Sequence, residues 1–169
     1  MVYLEFIERN ILYAQGYLEL GMLDDAWRSL DELESPLQAD PLVLRMRMAI
    51  LMAGRKWDAA AAIGRAICEK VPGEADGYIH TAFCLHEMKN TEEAREMLLA
   101  GPHSLRSSPL FHYNLGCYEA QLGEFDTAAF HVRRAIQLDP SYKAIAMEDS
   151  DLKPIQHQLG WKKRVRTTA

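Results

Sequence analysis

The sequence of 169 residues lacks the features that mark secreted and membrane-spanning proteins. Its three cysteines, Cys68, Cys84 and Cys117, have no paired spacing, which argues against a disulfide framework and for reduced thiols. No stretch approaches the roughly eighteen uncharged apolar residues of a membrane span, and the apolar N-terminal run is interrupted by charged residues such as Glu8 and Arg9. The composition therefore predicts a cytoplasmic protein with no signal peptide and no membrane insertion.

Basic residues are scarce outside the C-terminal end. The chain has 19 basic and 24 acidic residues, and four of the basic ones lie in residues 161–169, so residues 1–160 carry 15 basic against 24 acidic residues, a net charge of −9. An acidic body of this kind repels nucleic acid and phospholipid headgroups. We therefore expect neither as a partner, and we expect residues 161–169 to form a basic, flexible tail.

The sequence also lacks the common motifs of enzymes. It has no Gly-rich phosphate loop after a strand, no G-x-S-x-G and no H-E-x-x-H. His80 and Cys84 share one face of a predicted helix, but zinc needs three or four converging ligands, and a Cys–His nucleophile pair would need an oxyanion donor. We therefore predict a protein that is not an enzyme and uses no cofactor or metal, with a metal-dependent or catalytic protein as the less favoured alternative.

A pattern of paired helices recurs along the chain. Residues 110–140 have the apolar spacing of two helices of about thirteen residues, joined by a tight turn at residues 122–124. Gly116 and Ala128 lie where two packed helices come closest, so a larger side chain there would force the helices apart. Equal steps of thirty-four back from Ala128 find alanine each time, at Ala94, Ala60 and Ala26. The same steps from Gly116 find Ala82, Met48 and Ala14, of which only Met48 is large.

This pattern resembles the tetratricopeptide repeat (TPR), which has a small residue in its first helix, a Gly at the turn, an aromatic residue and an Ala in its second helix, and a closing Pro. The matching residues here are Gly116, Gly123, Phe125, Ala128 and Pro140. The resemblance implies an all-α fold, an α-α solenoid forming a right-handed superhelix of about four helix pairs. The repeats are expected at residues 7–40, 41–74, 75–108 and 109–142, in one domain over residues 1–160.

Both ends of the predicted array carry additional segments. Residues 143–160 are expected to cap the last repeat with a further helix, and the sequence DSDLKPI at residues 149–155 resembles an acidic segment that often closes bacterial TPR arrays. The first helix, predicted over residues 3–20, is about two turns longer than a repeat needs. Its extra apolar residues either cover the open end of the array or offer a surface for self-association.

The resemblance also implies a site. TPR proteins usually hold an extended or helical segment of another protein in a concave groove lined by the first helix of each repeat. The matching positions form a groove that is mainly apolar in its middle: Gln15, Leu42, Arg45, Ala49, Met52, Ile79, Phe83, His86, Tyr113, Asn114, Cys117 and Gln121. Chaperone-binding TPR domains hold a terminal dicarboxylate with a clamp of cationic residues. That clamp is missing here, whether its positions are counted from the first repeat or from the second.

These observations predict a non-enzymatic protein-interaction module that binds a peptide or an amphipathic helical segment of a partner protein. One alternative is a chaperone of the type III secretion kind, which would shield an apolar segment of its partner. The length and the acidity of the chain favour that alternative. The register of residues 1–34 argues against it, because such chaperones usually have three repeats after an N-terminal helical region.

Overall fold

The structure, a computed structural model, describes residues 2–160, with side chains from residue 4 onward. The predicted basic tail at residues 161–169 lies outside the described residues. The chain divides into two compact units, the first ending at Pro102 and the second beginning at His103. The single domain expected over residues 1–160 stays a prediction.

The first unit contains three helix pairs and one short connecting helix. In chain order these helices are α1 (Val2–Glu19), α2 (Leu23–Asp31), α3 (Ser35–Gln38), α4 (Pro41–Ala53), α5 (Trp57–Lys70), α6 (Ala75–Glu87) and α7 (Thr91–Leu99). Helix α1 packs on α2, α4 on α5, and α6 on α7, while α4 also contacts α1 and α2, and α5 also contacts α6. Each pair therefore stacks on the pair before it.

The second unit contains the last helix pair and the segment that follows it. A 3₁₀ turn at His103–Ser107 precedes α8 (Pro109–Leu122) and α9 (Phe125–Leu138), and α10 (Tyr142–Glu148) and a second 3₁₀ turn (Lys153–Ile155) follow. Both of these last elements contact α9. Every regular element in residues 2–160 is helical, so the predicted all-α fold of helix pairs is confirmed.

The small residues of the repeating pattern lie where the two helices of a pair touch. The four alanines at this spacing are all fully buried, with an exposed fraction of 0%: Ala26, Ala60, Ala94 and Ala128. At Gly116, an added Cβ atom would lie only 2.7 Å from Val132 Cγ2 and 3.3 Å from the carbonyl oxygen of Ala128. Helices this close exclude any larger residue. The predicted reason for the recurring alanines is therefore correct.

The turns within the helix pairs follow the same period. Four residues, one in each repeat and equally spaced, have a positive φ angle, which closes the first helix of each pair in the left-handed conformation: Gly21 (72°), Arg55 (54°), Lys89 (68°) and Gly123 (87°). Two of these positions carry a side chain, which makes that conformation costly. The backbone geometry of the turn therefore repeats even where its glycine does not.

Two histidines join the first 3₁₀ turn to the last helix pair. His112 Nε2 lies 3.0 Å from the carbonyl oxygen of Arg106, which only accepts, so Nε2 carries the proton of the neutral ring. His112 Nδ1 therefore accepts a hydrogen bond from His131 Nδ1, 2.9 Å away. Burial lowers the pKa of both rings, and burial together with the neighbouring His112 lowers the pKa of His131 to about 4. The pair is consequently neutral near pH 7.

Candidate partner-binding surface

A cavity of about 250 Å³ opens between α4 and α6 in the first unit. Three of the predicted groove residues, Arg45, Ala49 and Met52, line it. They share one face of α4 because positions three and four apart lie above one another on a helix. Met48, Asp76 and His80 complete the lining. The site thus combines a floor of methionine and alanine with charged and polar groups at its edge.

The edge of the cavity carries an ion pair and one further carboxylate. Arg45 forms an ion pair with Glu74, and its Nε lies 4.0 Å from Asp76 Oδ2. Glu74 precedes α6 and Asp76 lies in its first turn, where the helix dipole favours acidic side chains. Two carboxylates therefore face one guanidinium, which leaves this edge with one net negative charge.

His80 is the titratable group of the cavity wall. Burial lowers its pKa, and the nearby Asp76 offsets part of that effect. Its imidazole is therefore mainly neutral at pH 7, when it offers one hydrogen-bond donor and one acceptor without adding charge. The arrangement suits a bound segment whose apolar side chain reaches the floor of the cavity and whose neighbouring residue, polar or basic, lies at the edge.

The other predicted residues of the first unit have different surroundings. Leu42 and Gln15 are exposed, and Gln15 donates to Glu19 Oε1 at 3.2 Å. Phe83 packs edge-on against Trp57, with ring centroids 5.7 Å apart. Ile79 and His86 are buried, and His86 Nδ1 lies 3.0 Å from Thr91 Oγ1 at the start of α7.

In the second unit, the chain itself covers the predicted groove face of α8. Residues 149–155, here named the closing segment, place Asp149 against Tyr113 and Cys117. The Tyr113 hydroxyl donates to Asp149 Oδ2, and Cys117 Sγ lies 3.6 Å from the same oxygen. One turn further along α8, Gln121 Nε2 donates to the carbonyl oxygen of Asp151 at 2.9 Å. Asn114 lies on the same helix and is half-buried.

The chemistry of this contact keeps both donors protonated. Burial, followed by the charged neighbours, raises the pKa of Tyr113 well above its ordinary range, and burial followed by Asp149 does the same for Cys117. Asp149 Oδ1 also accepts from the backbone N–H of Asp151 at 2.8 Å. The carboxylate therefore accepts from three donors. Leu152 and Ile155, which follow it in the closing segment, are fully buried. A partner segment could reach Tyr113 and Cys117 only if the closing segment left them.

The predicted groove left out three residues of the cavity, Met48, Asp76 and His80. Asp76 lies one repeat after Leu42 and His80 lies one repeat before Asn114, so the period that relates the groove positions could have found both. Met48 is a core residue with 2% exposure, yet it also lines the cavity. A methionine is long enough to serve both contacts.

Other kinds of site find little support in the described residues. No group of three or more His, Cys, Asp or Glu side chains between residues 2 and 160 could hold a metal ion. Cys84, considered above as a ligand or nucleophile, is fully buried, and burial raises its pKa to about 11. All three cysteines are unpaired and buried. Within this part of the chain, no helix combines the length and the apolar character needed to span a bilayer.

Comparison with known proteins finds a family model that matches one helix pair of the chain. The model of the tetratricopeptide repeat matches residues 109–142, which are α8, α9 and their flanking residues. These are also the boundaries predicted for the fourth repeat. No curated protein matches the chain.

Several solved structures share the fold. MamA from Desulfovibrio magneticus RS-1, from residue 41 to its end, superimposes with a TM-score of 0.72 and 17% identity over 92% of each chain. Pseudomonas aeruginosa PilF gives a TM-score of 0.78 and 18% identity over 94% of this chain and 71% of PilF. MamA MSR-1 superimposes with a TM-score of 0.68 and 14% identity over 94% of this chain and 87% of the MamA chain. The chain therefore has the helical fold of these structures, and its residues 109–142 match the tetratricopeptide repeat.

Proposed function

We propose that the protein is an interaction module that binds an apolar segment of another protein in the cavity between α4 and α6. The observation that carries this proposal is the cavity itself, which is lined by Met48, Ala49 and Met52. Flexible methionine side chains adapt to different apolar guests. A binding role also agrees with the fold, which is typical of interaction scaffolds and not of enzymes.

Charge restricts the kind of segment that fits. Glu74 and Asp76 outnumber Arg45 at the cavity edge, and residues 1–160 are acidic as a whole. A partner with a lysine or arginine next to its apolar anchor would gain an ion pair with either carboxylate, whereas an acidic partner would be repelled. We therefore propose an apolar segment that carries a basic residue.

The α8 face enters the proposal differently. Tyr113, Cys117 and Gln121 hold the closing segment, so binding in the first unit does not depend on them. We propose that the partner segment contacts Arg45, Ala49 and Met52 while the closing segment stays in place. The residues of α8 then contribute to the stability of the second unit.

A secretion chaperone of the type III kind is a narrower form of the same proposal. The apolar floor of the cavity favours it, because shielding an apolar segment requires such a surface. Co-expression with a membrane-active protein that is insoluble alone separates the two forms: a general module leaves that protein insoluble, and a chaperone keeps it in solution. A cytoplasmic location, proposed from three unpaired cysteines, agrees with either form.

Peptide selection tests the proposal and does not require that the partner be identified first. A phage-displayed library of random twelve-residue peptides is selected on the wild-type chain, and the enriched peptides are measured by fluorescence anisotropy. The variant Ala49→Trp fills the cavity, and Ala62→Trp places the same side chain on an exposed position of α5. We expect enriched peptides that combine an apolar residue with Lys or Arg, and at least about tenfold weaker binding to Ala49→Trp only.

Two outcomes would overturn the proposal. One is a set of peptides that bind Ala49→Trp as tightly as the wild type, because the cavity would then be the wrong surface. The other is enrichment of acidic peptides, which would contradict the charge argument. Circular dichroism of both tryptophan variants shows whether they keep the helical fold.

A further inference from the structure

Helix α1 has a largely exposed stripe of aromatic, apolar and basic side chains beside the face that carries its buried residues. We name it the outer face and define it as Phe6, Arg9, Tyr13, Tyr17 and Leu20. Phe6 is half-buried and also packs against the core of the first unit, and Leu20 directly follows the last residue of α1. The spacing of three, four, four and three residues places all five on one line along the helix. The exposed fractions of Tyr13, Tyr17 and Leu20 are 54%, 38% and 75%. Arg9 lies over the ring of Phe6 at 4.5 Å from its centroid.

The equivalent positions of the next two repeats are stacking surfaces. One repeat after Tyr13 and Tyr17 lie Arg47 and Leu51, with exposed fractions of 7% and 8%. Arg47 is buried by α2, since its Nη2 donates to Asp31 Oδ1 at 2.8 Å and its guanidinium lies 4.5 Å from the Trp27 ring centroid. One further repeat along, in α6, Thr81 and Leu85 are exposed by 0% and 2%. In both α4 and α6, this helix position is therefore buried, whereas in α1 it is exposed.

We propose that the outer face of α1 packs against the same face of a second copy of the chain, with the two helices antiparallel. The stripe is symmetric about Tyr13, because Arg9 and Tyr17 each lie four residues from it, and Phe6 and Leu20 each lie seven residues from it. In the antiparallel arrangement each Tyr13 meets its own copy, each Arg9 meets a Tyr17, and each Phe6 meets a Leu20. A twofold axis through Tyr13 generates all of these contacts at once.

The paired groups are complementary in chemistry as well as in position. Arg9 is cationic and Tyr17 offers an aromatic face, so the two pairs across the axis make cation–π contacts. Leu20 and the exposed part of Phe6 bury apolar surface at both ends of the stripe. Gly16 lies beside the stripe, and a Cβ atom added to it would find no atom within 4 Å, which leaves room for the second helix.

Stacking of one copy on the end of another is less favoured by this chain. The outer face of α1 would then need to meet a second helix such as α9, in the way that α4 meets α2. Helix α9, however, already packs against α10 and against the 3₁₀ turn Lys153–Ile155. Self-pairing of α1 requires no such rearrangement. Because a single helix buries less area than a standard interface, we expect a dissociation constant on the order of tens of micromolar.

Sedimentation equilibrium of the full chain over a range of concentrations measures this association. We expect a reversible dimer for the wild type. The variant Tyr13→Glu places two carboxylates against each other on the axis and should weaken the dimer by more than about a hundredfold. The matched control is Leu12→Glu, because Leu12 is also exposed, by 66%, but lies off the stripe. It should leave the dimer unchanged.

Engineered cysteines test the register, since the three native cysteines are buried. On oxidation we expect Tyr13→Cys to form a covalent dimer with itself and Leu12→Cys to form none. A mixture of Arg9→Cys and Tyr17→Cys chains should form the mixed dimer in preference to either homodimer.

Three results would overturn the proposal. The first is a monomer at every concentration up to about 1 mM, which would leave the outer face to a helix of another protein. The second is a dimer that Tyr13→Glu does not weaken, which would indicate a different surface. The third is the absence of crosslinking at position 13 in a chain that does dimerise. Circular dichroism of each variant confirms that a lost dimer does not reflect a lost fold.

Discussion

The Tyr113 hydroxyl donates a hydrogen bond to the Asp149 carboxylate, across 36 residues of sequence. This contact joins the first helix of the matched repeat to the closing segment that follows α10. Cys117 reaches the same carboxylate oxygen, so the aspartate accepts from two buried side-chain donors of α8 together. The closing segment therefore occupies a face that the family resemblance assigned to a partner.

Removal of this carboxylate should loosen the second unit. In Asp149→Ala, the buried Tyr113 hydroxyl and Cys117 thiol lose their acceptor, and we expect a loss of about 2–3 kcal/mol in the free energy of unfolding of α8 and α9. Hydrogen exchange of the amides in residues 109–138 measures that loss. Glu148→Ala, which removes an exposed carboxylate next to it, serves as the control. Equal protection in both variants would show that the hydrogen bond contributes little.

The histidine pair should make the second unit sensitive to acid. The pKa of His131 is about 4 in the folded chain and about 6.5 in an unfolded one, so the unfolded state binds the proton more readily. The stability contributed by the neutral ring is complete above pH 6.5 and is lost as the pH falls towards 4. Between pH 7 and pH 5 we expect a loss of about 1 kcal/mol, after allowance for partial exposure of the ring.

Urea unfolding at the two pH values measures this effect, and His131→Gln provides the comparison. Glutamine does not titrate and can still donate a hydrogen bond to His112 Nδ1. The variant should therefore lose less stability than the wild type on acidification. An identical pH dependence of the two proteins would contradict the assignment to His131.

The strained turn between α6 and α7 offers a stabilising substitution. Lys89 has a φ of 68°, which costs a residue with a side chain about 1–2 kcal/mol, whereas glycine adopts this conformation freely. Glycine also loses more conformational entropy on folding, which offsets part of the relieved strain. We therefore expect Lys89→Gly to raise the free energy of unfolding by about 0.5–1 kcal/mol. Thermal unfolding followed by circular dichroism measures it. Asn90→Gly is the control, because Asn90 has a φ of −91° and should lose stability on the same change.

Much of the fold was predictable from local spacing. The positions of Ala26, Ala60, Ala94 and Ala128 mark the closest contacts of the helix pairs, because only a short side chain fits between packed helices. The second repeat, predicted from residue 41, begins at the same residue as α4. The spacing did not predict α3, since the segment from residue 35 to 41 is rich in turn residues and contains a single helical turn with Pro36 inside it.

The candidate site was less predictable. The repeat period assigns Met52 and His86 to equivalent places, yet His86 is buried against Thr91, whereas Met52 borders the cavity. Position within a repeat sets the direction of a side chain, but its neighbours decide whether a cavity remains beside it. Arg45, Ala49 and Met52 meet in one site because Asp76 and His80 of α6 complete the wall.

The sequence by itself determined the helical class, the repeat length and the residues at the closest helix contacts, because each follows from the spacing of side chains along one or two neighbouring helices. Tertiary structure decided which of the predicted groove residues stay accessible. Tyr113 and Cys117 are covered by Asp149 because a segment that lies outside the repeating pattern folds back onto α8. A periodic pattern carries no information about such a segment, whose position depends on hydrogen bonds between residues far apart in the chain.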